Sequence, residues 1–82
     1  MTNAKIHVKL YAAARDAFGA GETFVEPASV TAILTNLAIN NPHLRQVLDR
    51  CSVLVDGALC HEYSRILLRG ESMDVLPPFA GG

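Results

Sequence analysis

Six residues, Pro77-Pro78-Phe79-Ala80-Gly81-Gly82, close a sequence of 82 residues. Two glycines at an unanchored end help no fold, because glycine loses more conformational entropy on ordering than any other residue. What they present is the carboxylate of Gly82, on backbone without Cβ atoms that can pass through a narrow cleft. A terminal carboxyl has a reference pKa of about 3.3 to 3.7, so at neutral pH it is ionised and a poor electrophile. Chemistry there needs activation: transfer of AMP from ATP makes a mixed anhydride, and displacement of AMP by sulfide, or by a persulfide whose S–S bond is then cleaved by a thiol, leaves a thiocarboxylate. Pro77 and Pro78 preset an extended start at about 3.1 Å per residue, which lowers the entropy lost on insertion into a partner. From Pro77 to Gly82 the extended tail reaches roughly 20 Å. Phe79 has no core to fill in such a tail and is expected to anchor in a partner groove, with Ala80 and Gly81 completing the inserted segment. The same residues have a plainer use, since Pro-Pro stops an edge strand and Gly-Gly ends a frayed terminus, and both uses can hold at once.

Other chemistry-bearing residues do not assemble. Cys-His-Glu-Tyr at 60–63 sets a His beside a Glu, but no second His follows at zinc-helix spacing, and His7, His43 and His61 lie apart. No metal site is expected. Cys51 and Cys60 are too far apart for a Cys-x-x-Cys pair and too few for a disulfide framework, and are read as reduced thiols in or near strands. Gly-Ala-Gly-Glu at 19–22 is too short for a dinucleotide loop, and there is no Gly-x-x-x-x-Gly-Lys phosphate loop, so no cofactor is expected on this chain.

Composition narrows the field further. The length allows one domain, and with half of the residues hydrophobic it supports one core and no deep cleft. Seven basic and eight acidic residues give a net charge of −1 without a basic face, which argues against nucleic acid. No apolar run nears the roughly 20 residues of a membrane span, and the first ten residues do not read as a signal peptide, so a cytoplasmic protein without membrane contact is expected.

The elements that must position the tail follow from periodicity. In Lys5–Ala12, Ile6, Val8 and Leu10 alternate with His7, Lys9 and Tyr11, the period of a half-buried strand. The alanine-rich stretch that follows predicts a short helix or turn closing on Gly19 and Gly21, then a strand over 22–27. Ser29 is an N-cap for the main helix, with Val30, Ile33, Leu34, Leu37 and Ala38 on one stripe. Asn40, Asn41 and Pro42 interrupt it, and Pro42 opens a second helical segment carrying Leu44, Val47 and Leu48. A strand over 51–57 ends at the Asp56-Gly57 turn signal, a short edge follows at 58–63, and a turn at 69–71 precedes a last strand over 72–76. There Met73 and Val75 face one way and Asp74 and Leu76 the other, before the prolines end the ladder. A long helix crossing a mixed sheet, with the terminal strand released into a tail, predicts an α+β roll of the β-grasp, ubiquitin-like type. The division expected is a domain over 1–76 and an extended, flexible tail over 77–82.

The Pro-Pro-x-x-Gly-Gly end after a strand, together with VKLYAAARDAFG at 8–19 and LVDG at 54–57, resembles the small subunit of molybdopterin synthase, the MoaD family of sulfur carriers, over essentially the whole chain. The resemblance implies that a MoeB-like enzyme adenylates Gly82 with ATP and that a persulfide donor supplies sulfur. It further implies that the thiocarboxylate enters a MoaE-like large subunit and passes sulfur to cyclic pyranopterin monophosphate, in a heterotetramer whose large subunit holds the catalytic side chains. By the same resemblance, Tyr11, Leu59 and Leu76 match the family's interface positions, although each also suits a core. The family frequently has an aromatic where Leu76 stands, and this departure alters the fit to the large subunit. Two other readings stay open: a carrier for thiamin or cysteine biosynthesis, and a ubiquitin-like modifier joined through Gly82 to lysine amines.

Overall fold

In the computed structural model, which describes residues 5–78, the alternation of the first strand is the frame on which the rest is built. Strand β1 (Ile6–Leu10) buries Ile6, Val8 and Leu10 completely or nearly so and turns His7 and Lys9 to the other face. Helix α1 (Ala12–Phe18) follows at once and stops at Gly19, whose φ of 96° is the left-handed conformation that ends many helices. Strand β2 (Glu22–Val25) then returns antiparallel to β1, with Ile6 opposite Val25 and Lys9 opposite Glu22.

The predicted cap at Ser29 is present, and the helix that Pro42 opens has a cap of its own in Asn41. Ser29 precedes α2 (Val30–Leu37) and its hydroxyl accepts from the Ala32 N–H at 3.1 Å. Asn41 precedes α3 (Pro42–Leu48), accepts from the Leu44 N–H at 3.1 Å, and donates from Nδ2 to the Ala17 carbonyl, which ties α3 to the end of α1. The main helix is only eight residues long, so three short helices share the covering of the sheet. Its predicted stripe divides: Val30, Ile33 and Ala38 are buried, whereas Leu34 and Leu37 pack partly exposed at the core's margin.

Strands β3 (Ser52–Val55) and β4 (Ala58–Leu59) form a hairpin across Asp56 and Gly57, both at positive φ as a tight two-residue turn requires. Strand β5 (Ser72–Leu76) runs between β1 and β3, parallel to the first and antiparallel to the second. The sheet order is β2-β1-β5-β3-β4, so the strand that leads into the tail is the central one. The segment between β4 and β5 is irregular but anchored. Leu67 is fully buried, its N–H donates to the Ala28 carbonyl, and Arg65 and Tyr63 carbonyls accept the first N–H groups of α2. One face of the sheet and the three helices thus enclose a single core, and the other face stays open. No helix among the described residues is long and apolar enough to cross a membrane.

Candidate functional site

The C-terminal end of β5 brings together residues that sequence reasoning named separately. Leu76, half-buried, ends the strand on the open face, opposite Ser52 of β3, and Pro77 and Pro78 follow exposed. Tyr11 lies beside this exit because its N–H donates to the Val75 carbonyl at 3.1 Å. Its extended backbone continues the alternation of β1, so its ring belongs to the open face; it is 40% exposed and is the N-cap residue of α1. Leu59, 46% exposed, is the partner of Leu54 in the β3–β4 hairpin. The positions of Phe79, Ala80, Gly81 and Gly82 lie outside the described residues.

Register shows what connects these residues. Lys9, Asp74, Leu54 and Leu59 form one row across the open face, and Leu76 and Ser52 belong to the next row toward the tail. Leu54 therefore sits diagonally from Leu76 and directly beside Leu59, which makes Tyr11, Leu76, Leu54 and Leu59 a continuous apolar band. Sequence reasoning does not single out Leu54. The signal is there in the alternation of Ser-Val-Leu-Val, which turns Leu54 away from the buried Val53 and Val55.

Charge marks the other half of the face. The Lys9 ammonium lies 3.9 Å from Asp74 Oδ1, an oxygen shielded from solvent that accepts no hydrogen bond. Lys5 pairs with Glu26 at 3.5 Å, and the His7 ring hydrogen-bonds to Glu22 while stacking on Phe24 with centroids 4.5 Å apart. The face is thus apolar beside the tail exit and charge-paired away from it, an arrangement suited to orienting a docked partner.

On the helix side of the exit, Cys51 donates its thiol to the Val47 carbonyl at 3.2 Å, and burial pushes its pKa above the ordinary cysteine value. Cys51 and Cys60 are both free thiols flanking the β3–β4 hairpin. No three His, Cys, Asp or Glu side chains among the described residues gather as a metal centre would need.

The profile of the ThiS family matches residues 8–82, nearly the entire chain. The chain belongs to the ThiS family. This is a family of ubiquitin-like sulfur carriers and modifiers, and no curated protein matches the chain closely. Its fold is shared with SAMP1, the small archaeal modifier protein 1 of Methanosarcina acetivorans, at 25% identity and a TM-score of 0.77 over all of both chains. A Pyrococcus furiosus protein provisionally named molybdopterin converting factor subunit 1 is similar at 21% identity and a TM-score of 0.79, over 93% of this chain and 99% of the other. So is a chain in the complex of subunits 1 and 2 of molybdopterin-converting factor from Helicobacter pylori, at 20% identity and a TM-score of 0.66, over 94% and 97%. The architecture is that of the β-grasp, ubiquitin-like fold.

Proposed function

We propose that this ThiS-family chain is the sulfur-carrier small subunit of a molybdopterin synthase. The observation that carries the reading is the exit geometry: the central strand ends at an apolar band, and two exposed prolines follow, four residues before the terminal glycine. A body docked through Tyr11, Leu54, Leu59 and Leu76 can send Pro77–Gly82 into an active site while staying outside it. The likeness to a subunit 1 that was solved in complex with a subunit 2 supports a large-subunit partner of the MoaE kind.

In this reaction the Gly82 carboxylate attacks the α-phosphorus of ATP on a MoeB-like enzyme, and pyrophosphate leaves. The terminal sulfur of a donor persulfide then attacks the acyl carbon and expels AMP, leaving an acyl disulfide. A thiol of the sulfur donor or activating enzyme attacks the donor-side sulfur, which releases the thiocarboxylate on Gly82 and leaves a disulfide behind. Inside the large subunit that sulfur passes to cyclic pyranopterin monophosphate, two carriers being consumed for the two sulfurs of a dithiolene, as a heterotetramer would supply. The chain contributes the reacting terminus and its delivery. ATP belongs to the activating enzyme.

Likeness to SAMP1 favours a second reading, attachment through Gly82 to lysine amines. Reconstitution separates the two. The thiocarboxylate form mixed with a MoaE-like subunit should convert the pterin precursor, and a chain lacking Gly82 should fold normally and convert none. Conversion by the truncated chain would refute the carrier mechanism. Lysine-linked ladders without pterin conversion would establish the modifier, and activity only with a thiamin or cysteine pathway acceptor would reassign the carrier.

A further inference from the structure

The two edges of the sheet differ. Strand β4 is two residues long and belongs to the apolar band beside the tail exit, whereas β2, at the opposite edge, is four residues long and meets no strand but β1 among the described residues. Register fixes which of its backbone groups are spare. The Leu10 N–H donates to the Gly21 carbonyl at 2.9 Å, so Gly21, Thr23 and Val25 turn their polar groups to β1, and Glu22 and Phe24 turn theirs outward. Their N–H groups and carbonyls line the free edge at the spacing of a ladder.

The side chains of the same residues stand on the open face. Phe24 is 58% exposed with its ring laid against His7, and it has a carboxylate on each side, Glu22 within the strand and Glu26 just beyond it. His7 and Lys5 pair with these carboxylates from the inner side, yet both carboxylates keep most of their surface in solvent and can accept a second cation.

We infer that the β2 edge is a strand-addition site for an extended, basic segment of another protein, one that carries a cation, an apolar residue and a cation at every second position. Added antiparallel, such a segment takes its main-chain hydrogen bonds from Glu22 and Phe24. Its apolar residue lies beside Phe24, and its cations oppose Glu22 and Glu26 as cross-strand neighbours. Charge selects this occupant over a second copy. Two β2 edges paired about Phe24 set each Glu22 against the other's Glu26, and paired about Thr23 they bring no cation to either carboxylate. The band of Tyr11, Leu54, Leu59 and Leu76 runs from the end of β1 towards β4, away from this edge, so the two contacts are independent.

The probe is the acetylated, amidated peptide Thr-Lys-Thr-Ile-Thr-Lys-Thr, titrated into the isotope-labelled full-length protein and followed by NMR. The amide signals of Glu22 and Phe24 should move and their hydrogen exchange should slow severalfold, while Thr23 and Val25, already bonded to β1, keep their exchange rates. Glu22→Gln and Glu26→Gln should each weaken binding severalfold, and a peptide with both lysines replaced by Glu should not bind. Methylating the Ile amide nitrogen, which faces β2, should abolish binding, whereas methylating that of the next Thr, which faces away, should not. Unmoved Glu22 and Phe24 signals, equal binding of the acidic peptide, or changes confined to Tyr11, Leu54 and Leu59 would overturn the inference. Protection of Glu22 and Phe24 that rises with protein concentration alone would assign the edge to a second copy and contradict it as well. None of these readouts involves Gly82 or sulfur transfer, so the edge site and the carrier reading stand or fail separately.

Discussion

Replacing Leu59 and Leu67 by alanine, one at a time, separates docking from folding. Leu67 is fully buried and Leu59 is 46% exposed, yet both follow the β3–β4 turn and have the same side chain. A chain of 82 residues has roughly 4–12 kcal/mol of stability to lose. Leu67→Ala removes a packed side chain and leaves a cavity, at a cost of about 2–5 kcal/mol, which should lower Tm by about 10 °C or more. Leu59 contributes through the half of its surface that Leu54 and the hairpin cover, about 1 kcal/mol, so Leu59→Ala should lower Tm by only about 4–8 °C. The half that remains exposed is available to a partner. Its loss should weaken docking to the large subunit by about 1 kcal/mol, or about fivefold in Kd. Thermal unfolding monitored by circular dichroism and titration calorimetry with a MoaE-like subunit measure the two quantities. A Leu59→Ala protein with unchanged affinity and a Tm as low as that of Leu67→Ala would place Leu59 in the core and refute the docking assignment.

Other expected outcomes use the same logic. Leu54→Asp should reduce docking more than Leu59→Ala, because Leu54 lies between Leu59 and Leu76 in the band, and should also lower Tm modestly because its carboxylate would face Asp74 across the β3–β5 pair; unchanged calorimetry would remove Leu54 from the band. Ser29→Ala should cost about 0.5–2 kcal/mol in urea unfolding, since the hydroxyl that caps the Ala32 N–H is lost. Burial raises the pKa of Cys51 and Tyr63, so the folded state holds those protons more tightly than the unfolded chain does. That contribution is complete below the unfolded values and is lost as pH rises through the folded ones. The urea midpoint should therefore fall from about pH 8 to about pH 10, and fall less in Cys51→Ala; identical profiles for both proteins would remove Cys51 as a cause.

Local chemistry makes most of the fold legible in the sequence. The alternation at 6–10 and 73–76, the cap at Ser29, the helix start at Pro42 and the Asp56-Gly57 turn each depend on neighbours a few residues away, and each stands where it is expected. What escapes depends on distant contacts. Residues 60–68 have no period, and only pairing with Ala28 and Ser29 buries Leu67 while leaving Ile66 exposed. Phe24 reads as an ordinary apolar strand residue, yet β2 is an edge strand whose Phe24 lies on the open face against His7. The candidate site divides in the same way. Pro77, Pro78 and Leu76 can be placed from sequence because they adjoin the last strand, whereas Leu54 joins them only through cross-strand register.

Intact mass spectrometry would show whether Gly82 is the sulfur-bearing residue. The protein would be incubated with ATP, a MoeB-like activating enzyme and a persulfide donor, then weighed whole and as its C-terminal peptide. One terminal oxygen should be replaced by sulfur, dependent on ATP and absent when Gly82 is removed. A terminus whose mass does not change, on a chain found instead joined to lysines of other proteins, would contradict that role for Gly82.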